Sequence, residues 1–496
     1  MPCLIAAPGS GSGKTLLSLS LAALARRRGL RLQPFKVGPD YLDPQLLSRV
    51  SGQTCRNLDP LLCGEAWVQR CFHWHGRRAD LALVEGVMGL FDGRGPGSEG
   101  SSAAVAVQLG LPVILVVEAS RQAGSIAALV RGFRDHGPPR VNLAGVVLNR
   151  VGSERHRTLL AEALAAVSVP MLGALPRHPS LELPSRHLGL LPPGEVSDLE
   201  NRLATWAALA ERHLDLPRLW PLLAPPPPAA PEGDPEAQGD PIQALLRLPA
   251  HGDGRAFGDS GSRTTKAGVR VAVASDAAFH FRYPEAGELL TALGLELCSW
   301  SPLADQPLPP GAAAVLLPGG YPELHSERLA AARRSLADLR RAFGAGIPIV
   351  AECGGLLLLG RELCDPQGQS HPMAGLLPFR ARRGELSLGY RQATALGDGL
   401  LVRRGERMQG HEFHRWQLES ARQQPPAADG RELWQLEGWG SAVRAEGWRT
   451  AHLHASWLHL HWAGFPQLPR RLAAAARQAA GALSAGTCSM GGSAQE

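Results

Sequence analysis

Leu4-Ile5-Ala6-Ala7-Pro8-Gly9-Ser10-Gly11-Ser12-Gly13-Lys14-Thr15 decides how the rest of the chain is read. A short apolar run leads into a glycine-rich loop. Leu16, Leu17, Leu19, Leu21 and Leu24 then follow among small residues in a helix-like run to Arg28. A buried strand, a loop of glycines and a helix start, in that order, form a cradle for phosphate. Glycines reach backbone angles closed to other residues, so amide N–H groups can point inward. The helix N-terminus adds partial positive charge. In this pattern Lys14 reaches the β- and γ-phosphate oxygens and the Thr15 hydroxyl ligates Mg²⁺. Pro8 stands where the usual pattern has its first glycine, and Gly9, Gly11 and Gly13 supply the freedom instead. ATP and Mg²⁺ are therefore expected, held by Gly9, Ser10, Gly11, Ser12, Gly13, Lys14 and Thr15.

Downstream the pattern alternates. Leu32 to Val37 reads as a strand ending in Lys36-Val37-Gly38-Pro39-Asp40-Tyr41-Leu42-Asp43-Pro44, a turn-rich segment with two acids. Loops at the C-terminal ends of strands are where α/β sheets bind ligands. Leu81 to Val84 is a third strand, running into Glu85-Gly86-Val87-Met88-Gly89-Leu90-Phe91-Asp92-Gly93. An acid at the tip of a buried strand suits the Mg²⁺ shell, with Glu85 the first choice and Asp40 the second. Asp92 is assigned to the substrate side. Strands at 113–117, 143–148 and 171–177 alternate with helices at 101–109, 122–134 and 153–167. Val113 to Val117 is apolar throughout, as a central parallel strand requires. Asn149, at a strand tip, is a candidate for the adenine edge, with a turn-capping role as the alternative. The expected fold is α/β, a doubly wound parallel sheet.

The 496 residues suffice for two or three domains. Net charge is +6 with a pI near 9.1, yet there is no basic tail with interleaved aromatics, so nucleic acid is not an expected partner and a polyanionic small substrate is. No apolar run reaches the ~18 residues of a membrane span. The N-terminus lacks a charged leader, which predicts a cytoplasmic protein. None of the eight cysteines forms a C-x-x-C pair. Cys71-Phe72-His73-Trp74-His75 would share a face only on a strand and is not expected to hold metal. A proline- and glycine-rich linker is expected over 217–267, with a short helix at 242–246, and a disordered tail from 486.

The second domain starts with the strand Val269 to Ala274, followed by a helix over 285–293 and a strand ending in Pro318-Gly319-Gly320-Tyr321-Pro322-Glu323. Ile347 to Ala351 then runs into Glu352-Cys353-Gly354-Gly355 and an apolar helix. A nucleophile between strand and helix, followed by glycines, describes a sharp elbow that exposes its side chain. The helix start is expected to favour the thiolate, and Gly319 and Gly320 can offer backbone N–H groups as an oxyanion hole. The base is left open among His459 and His461, on one side of an extended segment, and His411 and His414.

These stretches together resemble the cobyrinic acid a,c-diamide synthase family. So do Pro184-Ser185-Arg186-His187-Leu188-Gly189-Leu190, Asp276-Ala277-Ala278-Phe279 with Tyr283-Pro284-Glu285, and Gly410-His411-Glu412-Phe413-His414. The resemblance implies a dethiobiotin-synthetase-like ATPase domain (1–216) and a class I glutamine amidotransferase domain (268–485). It implies ATP- and glutamine-dependent amidation of a corrinoid polycarboxylate, with Cys353 as glutaminase nucleophile and His459 as its activating base. Asp40, Tyr41, Leu42, Asp43 and Asp92 are then candidates for corrinoid contact. Many class I amidotransferases carry a glutamate two residues after that histidine; here the position is His461. The sequence leaves open the same chemistry on hydrogenobyrinic acid or nickel-sirohydrochlorin, and allows a homodimer. Cobyric acid synthase is disfavoured by the Lys36–Pro44 stretch. A partition-type switch ATPase is disfavoured by a single loop lysine and by the elbow.

Overall fold

The computed structural model describes residues 1–179, 185–186, 189–190, 198–228, 239–247, 268–420 and 431–490. The chain divides into two compact units, Met1–Pro241 and Ile242–Glu496.

In the first unit the strands are β1 (Leu4–Ala6), β2 (Leu32–Val37), β3 (Arg56–Leu58), β4 (Leu81–Glu85), β5 (Pro112–Glu118), β6 (Asn142–Val151) and β7 (Met171–Pro176). They form a parallel sheet in the order β3-β2-β4-β1-β5-β6-β7. β1 is paired on both sides and wholly buried, which is why it is apolar throughout rather than alternating. The chain leaves β1 through the helix Lys14–Arg27 and crosses over β4 to reach β2. That crossing brings the C-terminal ends of β1, β2 and β4 side by side, with Lys36 in register against Glu85. The two-residue strands β8 (Ser185–Arg186) and β9 (Gly189–Leu190) pair antiparallel; the rest of the Pro184–Leu190 motif lies outside the described residues.

The first unit extends past residue 217, into the expected linker of 217–267. Leu219 and Leu223 lie in helical turns buried in the first unit's core, beside Trp206. The helix Pro241–Arg247 buries Ile242 and Leu245, and Arg470 donates to the Leu246 carbonyl at 2.7 Å. Residues 229–238 and 248–267 lie outside the described set. The closing helix runs from Gln467 to Met490, past the expected start of the tail; 491–496 are not described. Cys71 to His75 is helical, within Glu65–Gly76.

The second unit is built on β10 (Val269–Ala274), β11 (Leu295–Trp300), β12 (Ala312–Leu317) and β13 (Ile349–Glu352), continuing through β14 (Glu362–Cys364), β15 (Ser370–Pro372), β16 (Phe379–Ala395), β17 (Arg407–Ser420), β18 (Arg431–Gly438), β19 (Ser441–Arg449) and β20 (Leu453–Ser456). Among the described residues these make one mixed sheet, ordered β11-β10-β12-β13-β20-β19-β18-β16-β14-β15, with β17 on β16. The run β11 to β20 is parallel, so the loops after β12, β13 and β20 emerge at one edge.

Candidate active site

In the first unit the loop between β1 and its helix has Gly11 and Gly13 at φ +82° and +110°. A Cβ at Gly13 would lie 2.4 Å from Asn149 Nδ2, so only glycine fits there. Asn149 donates to the Ser12 carbonyl at 3.0 Å and accepts from Arg150 N–H at 3.0 Å. Its amide thus braces the phosphate loop from below, a third role beside the adenine-edge and turn-capping readings. Lys14 is buried and folded over the loop, donating to the carbonyls of Met88 (2.5 Å) and Gly9 (3.4 Å). Burial, with the charge of Lys36, brings the Lys14 ammonium down to about 8. Asp92 accepts from Gly89 N–H at 2.7 Å and so shapes the loop after β4.

Lys36 lies at the centre of the acids. Its ammonium donates to Asp43 (2.5 Å), Glu85 (2.7 Å) and the Gly86 carbonyl (3.1 Å). Burial pulls this ammonium down, but Asp43, Glu85 and Asp40 more than reverse that and hold it charged. Burial likewise opposes ionisation of Asp43, yet Lys36 holds that carboxyl below its ordinary value. The Thr15 hydroxyl donates to Glu85 Oε1 at 2.8 Å and lies 3.5 Å from Asp43 Oδ2. The second-choice metal acid, Asp40, is placed differently: its Oδ1 accepts from Leu42 and Asp43 N–H and starts the helix Leu42–Ser51. Burial and the Asp43 charge push its carboxyl up. Asp43, not Asp40, joins Thr15 and Glu85. Leu42 is buried and Tyr41 half-buried in the same loop. Asn57, which the sequence reading passed over, donates to the carbonyls of Gly38 and Asp40, both at 2.8 Å, and fixes that loop.

Among the described residues no three His, Cys, Asp or Glu side chains are arranged to hold a metal by themselves. Thr15, Asp43 and Glu85 nevertheless fit Mg²⁺. All three are oxygen donors, and Glu85 Oε2 is buried with no hydrogen-bond partner. Bound phosphates would have to complete the shell.

In the second unit Cys353 sits between β13 and the helix Gly354–Leu359 at φ +48°, ψ −107°. A side chain held in that region marks a strained elbow. Its N–H donates to the Ser456 carbonyl of β20 at 2.7 Å, and its sulfur lies 3.9 Å from the Phe413 carbonyl. Gly319, after β12, fits between the two expected reactants. A Cβ there would lie 2.6 Å from His459 Cε1 and 3.5 Å from Cys353 Cβ. Gly320 is as confined, its Cβ position 2.1 Å from the Ala278 carbonyl oxygen. The histidines left open by the sequence now separate. His459 faces Gly319, and its backbone pairs in both directions with His411 (2.9 and 3.0 Å). His414 stacks on Trp457 at 3.9 Å between ring centroids. His461 lies against Tyr283, with Nε2 3.6 Å from Glu285.

The expected thiolate is opposed by burial. Burial, reinforced by Glu323, pushes the Cys353 thiol up, outweighing the hydrogen bond from Gly354 N–H at the helix start. Burial also brings the His459 imidazole down to about 3. Both shifts favour the neutral pair, so forming the thiolate calls for proton transfer from Cys353 to His459. Sequence reasoning also gave no role to Glu352, whose carboxylate lies 3.9 Å from His459 Nδ1. Nor did it find Glu446, which accepts from the Ser456 hydroxyl (2.6 Å) and Trp457 N–H (2.8 Å) and holds the strand that carries the histidine. Lys36 and Glu352 stood inside quoted motifs; Glu446 carried no signal.

Residues 3–191 match a model of the CobQ/CobB/MinD/ParA nucleotide binding domain, and 270–467 match a CobB/CobQ-like glutamine amidotransferase domain. The chain is similar to a cobyrinate a,c-diamide synthase of Gloeobacter violaceus, at 44% identity over 93% of this chain and 94% of the relative. A protein of the same name from Synechocystis is 40% identical over 93% of this chain and 90% of its own length. A hydrogenobyrinate a,c-diamide synthase of Streptomyces coelicolor is 43% identical over 94% and 96%. With identity at this level along nearly the whole of both chains, the protein belongs to the family of cobyrinate and hydrogenobyrinate a,c-diamide synthases.

Proposed function

We propose that this chain amidates the a and c acetate carboxylates of cobyrinic acid, with ATP as energy source and glutamine as nitrogen donor, in the making of cobalamin. One observation carries the reading. The phosphate loop with its acid–lysine cluster, and an elbow cysteine facing a histidine across a glycine, occur in one chain. A carboxylate is a poor acyl donor and ammonium a poor nucleophile, so each needs its own site.

In the first unit a substrate carboxylate oxygen attacks the γ-phosphorus of ATP, giving an acyl phosphate and ADP. Loop N–H groups and Lys14 bear the phosphate charge, and Lys14 leaves the Met88 carbonyl to do so. Mg²⁺ held by Thr15, Asp43 and Glu85 would supply further charge stabilisation at the β- and γ-phosphates. Lys36 holds both acids in place through its ammonium hydrogen bonds. Asp40, Tyr41 and Asp92 line the substrate side.

In the second unit His459 takes the Cys353 proton and the thiolate attacks the glutamine amide carbon. N–H groups of Gly319 and Gly320 receive the oxyanion. The proton returns to the leaving nitrogen, ammonia departs, and water hydrolyses the thioester to glutamate. Ammonia then displaces phosphate from the acyl phosphate of the first unit, and the cycle runs twice. No helix among the described residues is long and apolar enough to cross a membrane; we place the reaction in the cytoplasm, where ATP and glutamine are abundant.

The test is mass spectrometry of product from purified protein, ATP and glutamine with cobalt-containing and cobalt-free acids. Two successive replacements of OH by NH₂ support the reading. Unchanged substrate while glutamine is consumed refutes it.

A further inference from the structure

We propose that Glu352, the residue before the nucleophile, is the positioning carboxylate of His459. The inference rests on the glutaminase reading of Cys353 and His459 above.

The geometry comes from strand pairing. β13 and β20 run parallel with Glu352 in register against Ser456, so the end of β13 lies beside the segment that continues past β20. Glu352 Oε2 is 3.9 Å from His459 Nδ1. The same carboxyl accepts from the Leu460 backbone N–H and the Trp462 side chain, residues on the far side of His459. One carboxylate therefore grips the histidine's own segment and faces its ring.

Of the other buried acids around the elbow, Glu323 bears on the Cys353 thiol rather than on His459, and the rest are held by other partners. Glu446 takes Ser456 and Trp457, Glu412 takes Arg391 and Arg444, and Glu285 faces His461. His461 itself, where many class I enzymes carry their acid, cannot offer a carboxylate.

The chemistry needs such a group. His459 must present an unprotonated Nε2 to the thiol, which requires the proton on Nδ1; an acceptor at Nδ1 selects that tautomer. The imidazolium formed on proton transfer is disfavoured by burial, and an adjacent negative charge offsets that cost. Apo contacts of this kind are often long and tighten when substrate binds. Burial pushes the Glu352 carboxyl up to about 8. The groups facing it are His459, Cys353 next in sequence, and Arg282 and Tyr283 across a small cavity shared with Leu460 and Trp462. The active form is the carboxylate, so glutaminase activity rises with pH through that range.

The experiment is glutaminase kinetics from pH 6 to 9.5 on wild type, Glu352→Gln, Glu352→Asp and Cys353→Ala, each checked for folding by thermal denaturation. Gln keeps an oxygen for the Leu460 and Trp462 hydrogen bonds, so a merely structural role survives it. The expected result is a kcat about 10²-fold lower in Glu352→Gln, the scale of a general-base contribution, with KM for glutamine unchanged, the rising limb gone, and partial recovery in Glu352→Asp. Wild-type kcat, or a loss confined to KM with the rising limb intact, overturns the inference while an inactive Cys353→Ala keeps the glutaminase reading. An active Cys353→Ala overturns both. Should Glu352→Gln not fold, ¹⁵N-histidine NMR of the wild-type chain decides: His459 as the Nδ1–H tautomer supports the assignment and Nε2–H refutes it.

Discussion

Gly319→Ala isolates geometry from chemistry, because alanine keeps the backbone N–H and adds a single methyl group. That methyl would sit 2.6 Å from His459 Cε1, 3.2 Å from Phe281 Cβ and 3.5 Å from Cys353 Cβ. Relief to ordinary contact needs a shift of about 1 Å, a displacement that costs roughly 10²-fold in rate when it falls on reacting groups. The ring has little room to retreat. It is 1% exposed and its backbone is hydrogen-bonded both ways to His411. Overpacking of this kind costs about 1–3 kcal/mol of stability. The assay is glutamate release, run beside amidation driven by added ammonia and beside a urea melt. Glutaminase should fall by about 10²-fold while ammonia-driven product persists. Wild-type glutaminase in a folded Gly319→Ala would show that His459 and Cys353 do not work across this glycine.

Three further outcomes follow from other parts of the molecule. Cys353→Ala should lose glutamine-driven product and keep ammonia-driven product, whereas Lys14→Ala should lose both; product analysis with each nitrogen source separates the two. Lys36→Met leaves buried Glu85 and half-buried Asp43 without their cation and should cost about 3–5 kcal/mol in urea denaturation. Glu412 provides a pH test of stability. Burial pushes its carboxyl up, but His414, 3.8 Å away, and the hydrogen-bonded guanidinium of Arg444 hold it well below its ordinary value. A carboxyl lowered in the folded state stabilises fully above the unfolded value and loses that contribution as pH falls toward the folded one. Glu412→Gln should therefore be less stable than wild type at pH 7, with the gap closing below about pH 4.5; a gap constant across pH 7 to 3 would contradict the pairing.

The first unit was legible because its strands are buried on both faces and read as continuous apolar runs: Leu4–Ala6, Leu81–Glu85 and Pro112–Glu118 stand where the runs predict. The long ribbon of β16 to β19 was not read. Its strands carry arginines and glutamates on both faces, as at Arg380, Arg382, Arg383 and Glu385, so no clean alternation marks them. Within the sites, the phosphate loop and the elbow could be seen because each is local in sequence. Lys36 among its acids, and Glu352 beside His459, depend on register between strands distant in the chain. The thiol illustrates a competition between effects. The helix start argues for a thiolate, but enclosure by Gly319, Phe413 and Ser456 desolvates the sulfur and wins.

The central claim is that ATP energises the carboxylate that glutamine nitrogen then replaces. It is tested most directly by giving the enzyme cobyrinic acid labelled with ¹⁸O in its carboxylates, together with ATP and glutamine. The account predicts one ¹⁸O in the released phosphate for each amide formed, with two amides per macrocycle. Amide formation accompanied by unlabelled phosphate would contradict it.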